Sequence, residues 1–176
     1  MNREQEQEYV AYVTVRLPAL RRVAAQLAGD PHRGDDLVQQ AATKLFVKWR
    51  QASRARNLDA YVHTILVRTM LDDRRLGWSR VGLAPEAGAD RPAAARDDDT
   101  RLVLHAALAQ MPPRQRAAVV LRFLADRPVD EVAEILRVTP GTVKSQTADG
   151  LATLRRLLGE HPDTGPATTA VKGEAR

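Results

Sequence analysis

Asp130-Glu131-Val132-Ala133-Glu134-Ile135-Leu136-Arg137-Val138-Thr139-Pro140-Gly141-Thr142-Val143-Lys144-Ser145 is the stretch whose reading decides the fold. Val132, Ala133 and Leu136 form one apolar helix face, which stops at a short break around Arg137 and Val138. A second helix then opens with Thr139 as N-cap and Pro140 at the first helical position, where a missing N–H costs nothing and a fixed φ is already helical. Two short helices across a tight turn make a helix-turn-helix, whose second helix lies in a DNA major groove.

Upstream, residues 101–110 predict one helix, ended by Met111-Pro112-Pro113, and residues 114–125 another, with Val119, Val120, Phe123 and Leu124 for the core. The helix from Pro140 runs on through Leu151, Leu154 and Leu158, so this block is four short helices on three short connections, a compact DNA-binding unit. If Val143, Thr147, Gly150, Leu151 and Leu154 face inward, the opposite face carries Thr142, Ser145, Ala148 and Asp149, flanked by Lys144 and Gln146. Gln146 suits an adenine edge, Ser145 a base or a phosphate, and Lys144 a phosphate; Asp149 either accepts from a cytosine amino group or repels the backbone. Arg155 and Arg156 either reach the DNA backbone or complement the helix C-terminal dipole.

The N-terminal block is helical too. Residues 10–28 place Val13, Leu17, Leu20, Val23, Ala24 and Leu27 at helical spacing, with Pro18 expected to kink or start a helix, and Gly29-Asp30-Pro31 breaks the chain. Residues 35–51 carry Leu37, Val38, Ala41, Leu45 and Trp49 in the same way, and residues 58–76 carry Val62, Ile65, Leu66 and Thr69. The predicted class is all-α: two small helical domains, residues 1–80 and 101–159, joined by a flexible acidic linker over 81–100 and followed by a disordered tail over 160–176. The net charge of +5 divides accordingly, as +5, +4, −3 and −1 over those four segments in that order. A basic balance favours nucleic acid as partner.

Several classes are excluded. With no cysteine there is no disulfide framework and no thiolate chemistry. The charged opening, Met1 to Glu8, is unlike a signal peptide, and no window approaches the roughly 18 apolar residues of a membrane span, so the expected compartment is the cytoplasm. His32, His63, His105 and His161 are scattered without metal-ligand spacing, and adjacent Asp72 and Asp73 point in different directions on a helix. The expectation is a protein with no metal, no cofactor and no catalytic site.

Asp35-Asp36-Leu37-Val38-Gln39-Gln40, the span from Ala60-Tyr61-Val62 to Asp72 with Arg74-Arg75, and Gly141-Thr142-Val143-Lys144-Ser145 stand in the order and spacing of a bacterial extracytoplasmic-function sigma factor. The chain resembles that family over residues 8–158, and Gln146-Thr147 and Gly150-Leu151-Ala152 are most similar to the actinobacterial SigE-type subgroup. Such proteins are RNA polymerase specificity subunits with a region 2 domain and a region 4 domain. The resemblance implies that Asp36, Leu37, Gln39 and Gln40 bind the β′ clamp of core polymerase, and that the segment from Leu58 to Arg80 reads and melts the −10 element. There Tyr61, Thr64, Arg68, Arg74, Arg75 and Trp78 are the contact candidates; Tyr61 and Trp78 either hold an unstacked base or pack in the core. Region 4 would read the −35 element through Thr142, Lys144, Ser145, Gln146 and Asp149, and touch the polymerase β flap. Asp90 and Asp97-Asp98-Asp99 resemble the family segment directed at the RNA path, or form a plain solvated spacer. Many members are held by an anti-sigma factor, a partner that nothing in this sequence specifies.

Four positions depart from the family pattern: Arg68 stands where Asn is common, Arg137 where the turn usually has Gly, and Asp149 and Thr153 where basic residues are frequent. They imply an altered promoter preference or weaker DNA affinity. A rival reading is a free-standing regulator, since residues 112–154 also resemble the C-terminal domain of LuxR-type response regulators. The basic, all-helical N-terminal block disfavours it, because the sensor halves of those regulators are typically α/β.

Overall fold

The computed structural model describes residues 2–78 and 96–159, with side chains over 2–72 and 100–159. Most of the expected linker, including Asp90, and the whole expected tail lie outside the described residues, as do the side chains of Asp97, Asp98 and Asp99. Among the described residues every regular element is helical, as the periodicity predicts.

Helix α1 spans Arg3–Ala28, α2 Pro31–Val47, α3 Trp49–Ala52 and α4 Leu58–Trp78. In the second block α5 spans Arg96–Gln110, α6 Pro113–Val119 with a π turn over Val120–Leu124, α7 Val129–Leu136 and α8 Pro140–Gly159. α5 thus begins inside the segment expected to be linker.

α1 starts earlier than expected because Asn2 and Gln5 form a reciprocal capping box, at 2.9 Å and 3.2 Å. It also continues past Pro18, which therefore does not start the helix. Proline removes the bond to the carbonyl of Thr14, but both residues are exposed, where water replaces it. Gly29 ends α1 in a left-handed conformation (φ 76°), and the Asp30 side chain caps α2 by accepting from the Arg33 N–H at 2.9 Å. Trp49 is buried at the start of α3, with Tyr9 and Tyr12 rings 5.4 and 5.8 Å away.

The two blocks pack against one another, α4 on α7 and α1 on α5 and the π turn. One apolar cluster therefore runs from Leu20, Leu27, Leu45 and Leu66 in the first block to Leu121, Val132 and Ile135 in the second. A smaller one, Ala107, Leu108, Met111, Val119 and Leu157, is internal to the second block. Arg116 sits at the junction, fully buried, donating from Nη1 to the Leu108 carbonyl at 3.1 Å. A Cβ on Gly29 would lie 2.6 Å from that Nη1 and 2.8 Å from Ala109 Cα, so glycine is required there for closeness as well as for its φ.

One core expectation fails. Phe123 and Leu124 are 61% and 45% exposed, because the π turn advances the backbone by an extra residue and rotates them off the inward stripe that holds Val119, Val120 and Leu121.

Candidate nucleic-acid and partner interfaces

The helix-turn-helix forms as its sequence predicts. α7 ends with Arg137 in a left-handed conformation (φ 55°) and Val138 N–H bonded to the Ala133 carbonyl at 3.0 Å, the Schellman pattern. A non-glycine residue there costs on the order of 1 kcal/mol. Thr139 caps α8 by accepting from the Thr142 N–H at 3.1 Å, and the two threonine hydroxyls are 2.9 Å apart. Val143, Gly150 and Leu157 are buried, fixing the helix's rotation.

That rotation leaves Lys144, Ser145, Ala148 and Asp149 exposed on one side, a cation, a hydroxyl, a small residue and an anion facing outward. Thr142 is half-buried, and Ser145 Oγ donates to its carbonyl at 3.0 Å. Gln146 is also half-buried, with Oε1 in the interior and no hydrogen-bond partner, so of its two polar groups only the amide NH₂ is open to a base edge.

On α4, Arg68 is exposed while Tyr61 and Thr64 are half-buried, and the Thr64 hydroxyl already donates to the Ala60 carbonyl at 2.8 Å. Tyr61 packs at the edge of the main apolar cluster. Arg74, Arg75 and Trp78 continue the helix, but their side chains lie outside the described residues. The structure adds a group that the motif reading passed over: Lys44, Lys48, Arg50, Arg54 and Arg56, all exposed around α3 and its flanks. The signal was present, since residues 44–58 hold these cations and no acidic residue. Such a run is a natural track for a phosphate backbone.

On α2, Asp36, Gln39 and Gln40 are exposed, and Asp36 and Gln40 share a face at i, i+4. Leu37 does not join them. It is 3% exposed and belongs to the main core, because it falls on the stripe of Val38, Ala41 and Leu45 that packs on α1. The expectation that Leu37 offers apolar area to a partner is corrected to a structural role.

Among the described residues, no three His, Asp or Glu side chains gather where a metal could bind. His63 Nδ1 donates to the Asp59 carbonyl at 2.8 Å, and its pKa is lowered by burial first and then by the Arg127 charge. His105 is also lowered by burial, against the opposing pull of Asp30. Tyr12 donates to Asp59 at 2.7 Å, and its pKa is raised by burial, by that bond and by the carboxylate's charge. Tyr12 and His63 thus bond within the first block, whereas His105 meets Gln26 across the two blocks at 3.2 Å. No helix among the described residues is long and apolar enough to cross a membrane.

Residues 13–80 match the family model for sigma-70 region 2, and residues 101–154 that for sigma-70 region 4. The RNA polymerase sigma-E factor of Streptomyces avermitilis is 34% identical over 157 residues, covering 86% of this chain and 85% of that protein. The factor of the same name from Streptomyces coelicolor is 33% identical over 157 residues, with 86% of each chain covered. Among solved structures, the sigma factor RpoE in complex with the anti-sigma factor NepR from Bartonella quintana superposes with a TM-score of 0.74 at 26% identity, over 87% of this chain and 98% of that one. Two sigma regions in one all-helical chain, in the order 2 then 4, define an alternative sigma factor, a specificity subunit that directs transcription initiation. The chain belongs to the extracytoplasmic-function family of RNA polymerase sigma factors, among relatives of the sigma-E type. A region 2 match across the N-terminal block leaves the LuxR-type reading without support.

Proposed function

We propose that the labour is divided by segment. Residues 1–80 bind core polymerase and open the −10 element, residues 101–159 read the −35 element, residues 81–100 link them, and residues 160–176 form a tail. On α2 the polymerase contact is polar, made by Asp36, Gln39 and Gln40 against the β′ clamp. On α4, Tyr61, Thr64 and Arg68, continued by Arg74, Arg75 and Trp78, face promoter DNA, and the cations from Lys44 to Arg56 track its backbone. On α8, Lys144 and Ser145 take phosphate or base contacts, with Thr142, Gln146 and Asp149 tuning the preference. The second block also touches the β flap.

The observation that carries this reading is the presence, in one chain, of an exposed α8 face one turn from a capped helix N-terminus and an exposed polar face on α2. The Bartonella protein was solved with an anti-sigma factor, and an equivalent inhibitor is the third partner proposed for this chain. The protein works beside polymerase in the cytoplasm and has no catalytic site of its own. The test mixes the purified chain with core polymerase and a promoter library and sequences the run-off transcripts. Transcripts sharing two spaced elements are expected; neither complex nor transcripts would sink the proposal.

A further inference from the structure

The two blocks meet through a small polar network centred on Arg127, in the turn just ahead of α7. Arg127 Nη1 is 3.1 Å from Glu131 Oε1 on α7, and Nη2 is 3.8 Å from Asp59 Oδ2 on α4. Asn57 donates to Glu131 at 3.2 Å, and Gln26 meets His105 at 3.2 Å farther along the same junction. The turn itself is firmly built: Arg127 N–H bonds to the Leu121 carbonyl at 2.9 Å, Asp126 takes a positive φ of 50°, and Arg122 donates to the Arg127 carbonyl. The side chain is thus held at the junction by its own block.

The Arg127–Asp59 link across the junction is long, at 3.8 Å, whereas Asp59 is gripped tightly inside its own block, by Arg16 at 2.8 Å and Tyr12 at 2.7 Å. Asp59 therefore keeps two strong partners if Arg127 leaves. The closed contact also leaves the Arg127 Nε–H buried without a hydrogen-bond partner. Closure is imperfect for Arg127, and a better anion would draw it away.

We propose that Arg127 is a switched contact: in the free chain it latches the second block onto Asp59, and on release it binds a DNA phosphate beside α7. The anion is identified by position. In a helix-turn-helix the first helix crosses the DNA backbone, and Arg127 lies immediately before the first turn of that helix. Glu131 belongs to Arg127's own block and stays with Nη1 in either state, but in the closed chain the Asp59 carboxylate occupies the place beside Nη2 that a phosphate would take, so latch and phosphate exclude one another there. Opening the chain and gaining a backbone contact are then one event. The inference rests on the reading of α7 and α8 as a DNA-binding unit.

The test uses the full chain, whose lack of cysteine allows clean labelling at Glu8→Cys on α1 and Ala152→Cys on α8, both exposed. Energy transfer between the labels reports closure, and titration with a mixed-sequence duplex at several salt concentrations reports phosphate contacts. Asp59→Asn keeps an acceptor for Tyr12 but weakens the latch: the labels move apart and duplex affinity rises about two- to five-fold. Arg127→Gln also separates the labels, yet binding weakens and the salt slope becomes shallower by about 0.9. Arg127→Lys restores that slope, a rescue that a purely structural role does not give. Unchanged label separation in both Asp59→Asn and Arg127→Gln, with thermal melting confirming folded protein, overturns the latch. A parental salt slope in Arg127→Gln overturns the phosphate contact. If the parent chain fails to bind duplex even at low salt, the DNA-binding reading itself falls, while the label separations still decide the latch.

Discussion

Replacing Gly34 by Ala should destabilise the first block substantially. A Cβ at this position would lie 2.6 Å from Ala25 Cα, 2.7 Å from Ala25 N and 3.1 Å from the Ala24 carbonyl carbon. Carbon atoms in optimal contact are about 3.5–4.0 Å apart, so the deficit is about 1 Å. Every obstructing atom belongs to the α1 backbone, and no side chain can rotate aside. Relief requires α1 and α2 to separate, which loosens Ala24 and Leu27 against Leu37, Val38 and Ala41. Overpacking of this kind costs about 1–3 kcal/mol, and a backbone clash belongs at the upper end. The better helix propensity of Ala offsets about 1 kcal/mol, leaving a net loss of about 2 kcal/mol. That corresponds to a fall in Tm of roughly 4–8 °C for a chain of this size. The assay is thermal melting by far-UV circular dichroism, with Gly141→Ala as internal control. At Gly141 the nearest atom to a new Cβ is the Thr139 hydroxyl oxygen at 3.8 Å, so that variant should melt at or slightly above the parent temperature. Gly34→Ala melting no lower than the parent would refute the close crossing of α1 and α2.

The double variant Asp36→Ala, Gln39→Ala should lose co-purification with core polymerase while melting within about 1 °C of the parent, since both side chains are exposed; retained binding moves the site off this face. Lys144→Ala should weaken duplex binding for all sequences alike and make the salt slope shallower by about 0.9, whereas a change confined to one sequence would make Lys144 a base reader. Acid should destabilise the packed chain through His63 and His105, both lowered by burial. A free histidine titrates near 6.5, so just below that pH the unfolded chain binds more protons than the folded one. Stability is therefore full above about pH 6.5 and lost as pH falls through the lowered folded values; a urea midpoint that rises between pH 7 and pH 5.5 would contradict this.

The order of helices and the recognition turn were legible because each rests on local chemistry: Gly29-Asp30-Pro31 between α1 and α2, Pro112-Pro113 before α6, and Thr139-Pro140 at α8 all act within one turn of the chain. Helix α1 was the local failure. Pro18 reads in isolation as a kink or a helix start, but the capping box at Asn2 and the packing of Leu20 to Leu27 hold the helix on both sides of it. Leu37 was misread for a different reason: a motif match marks which residues matter without separating those that touch a partner from those that hold the helix in place. Phe123 and Leu124 were misplaced because a π turn shifts the phase of the apolar stripe by one residue, and periodicity assumes a constant phase. The packing of the two blocks, and the burial of Arg116 between them, depend on contacts distant in sequence and left no periodic trace.

That packing also changes the electrostatics of DNA binding. The second block has nine basic residues between 101 and 159, but Arg116 is buried in the core and Arg127 is engaged by Asp59 and Glu131, which leaves seven. Within the first turns of α8 only Lys144 is an exposed cation, and Asp149 on the same side opposes it. Each phosphate neutralised contributes about 0.9 to the salt slope, so so few contacts make a weak and salt-sensitive grip. The first block supplies further exposed cations at Lys48, Arg50, Arg54 and Arg56, with Lys44 beside them donating to Thr69 at 2.9 Å. Linking the two raises the effective concentration of each at the promoter, provided both reach it together. A closed chain engages Arg127 inwardly, so the condition that brings both blocks onto DNA is the same one that returns a cation to the second block. Affinity in the assembled complex should therefore exceed what the separate charges of the two blocks predict, and the share of that excess owed to the returned cation should be lost in Arg127→Gln while the share owed to linkage remains.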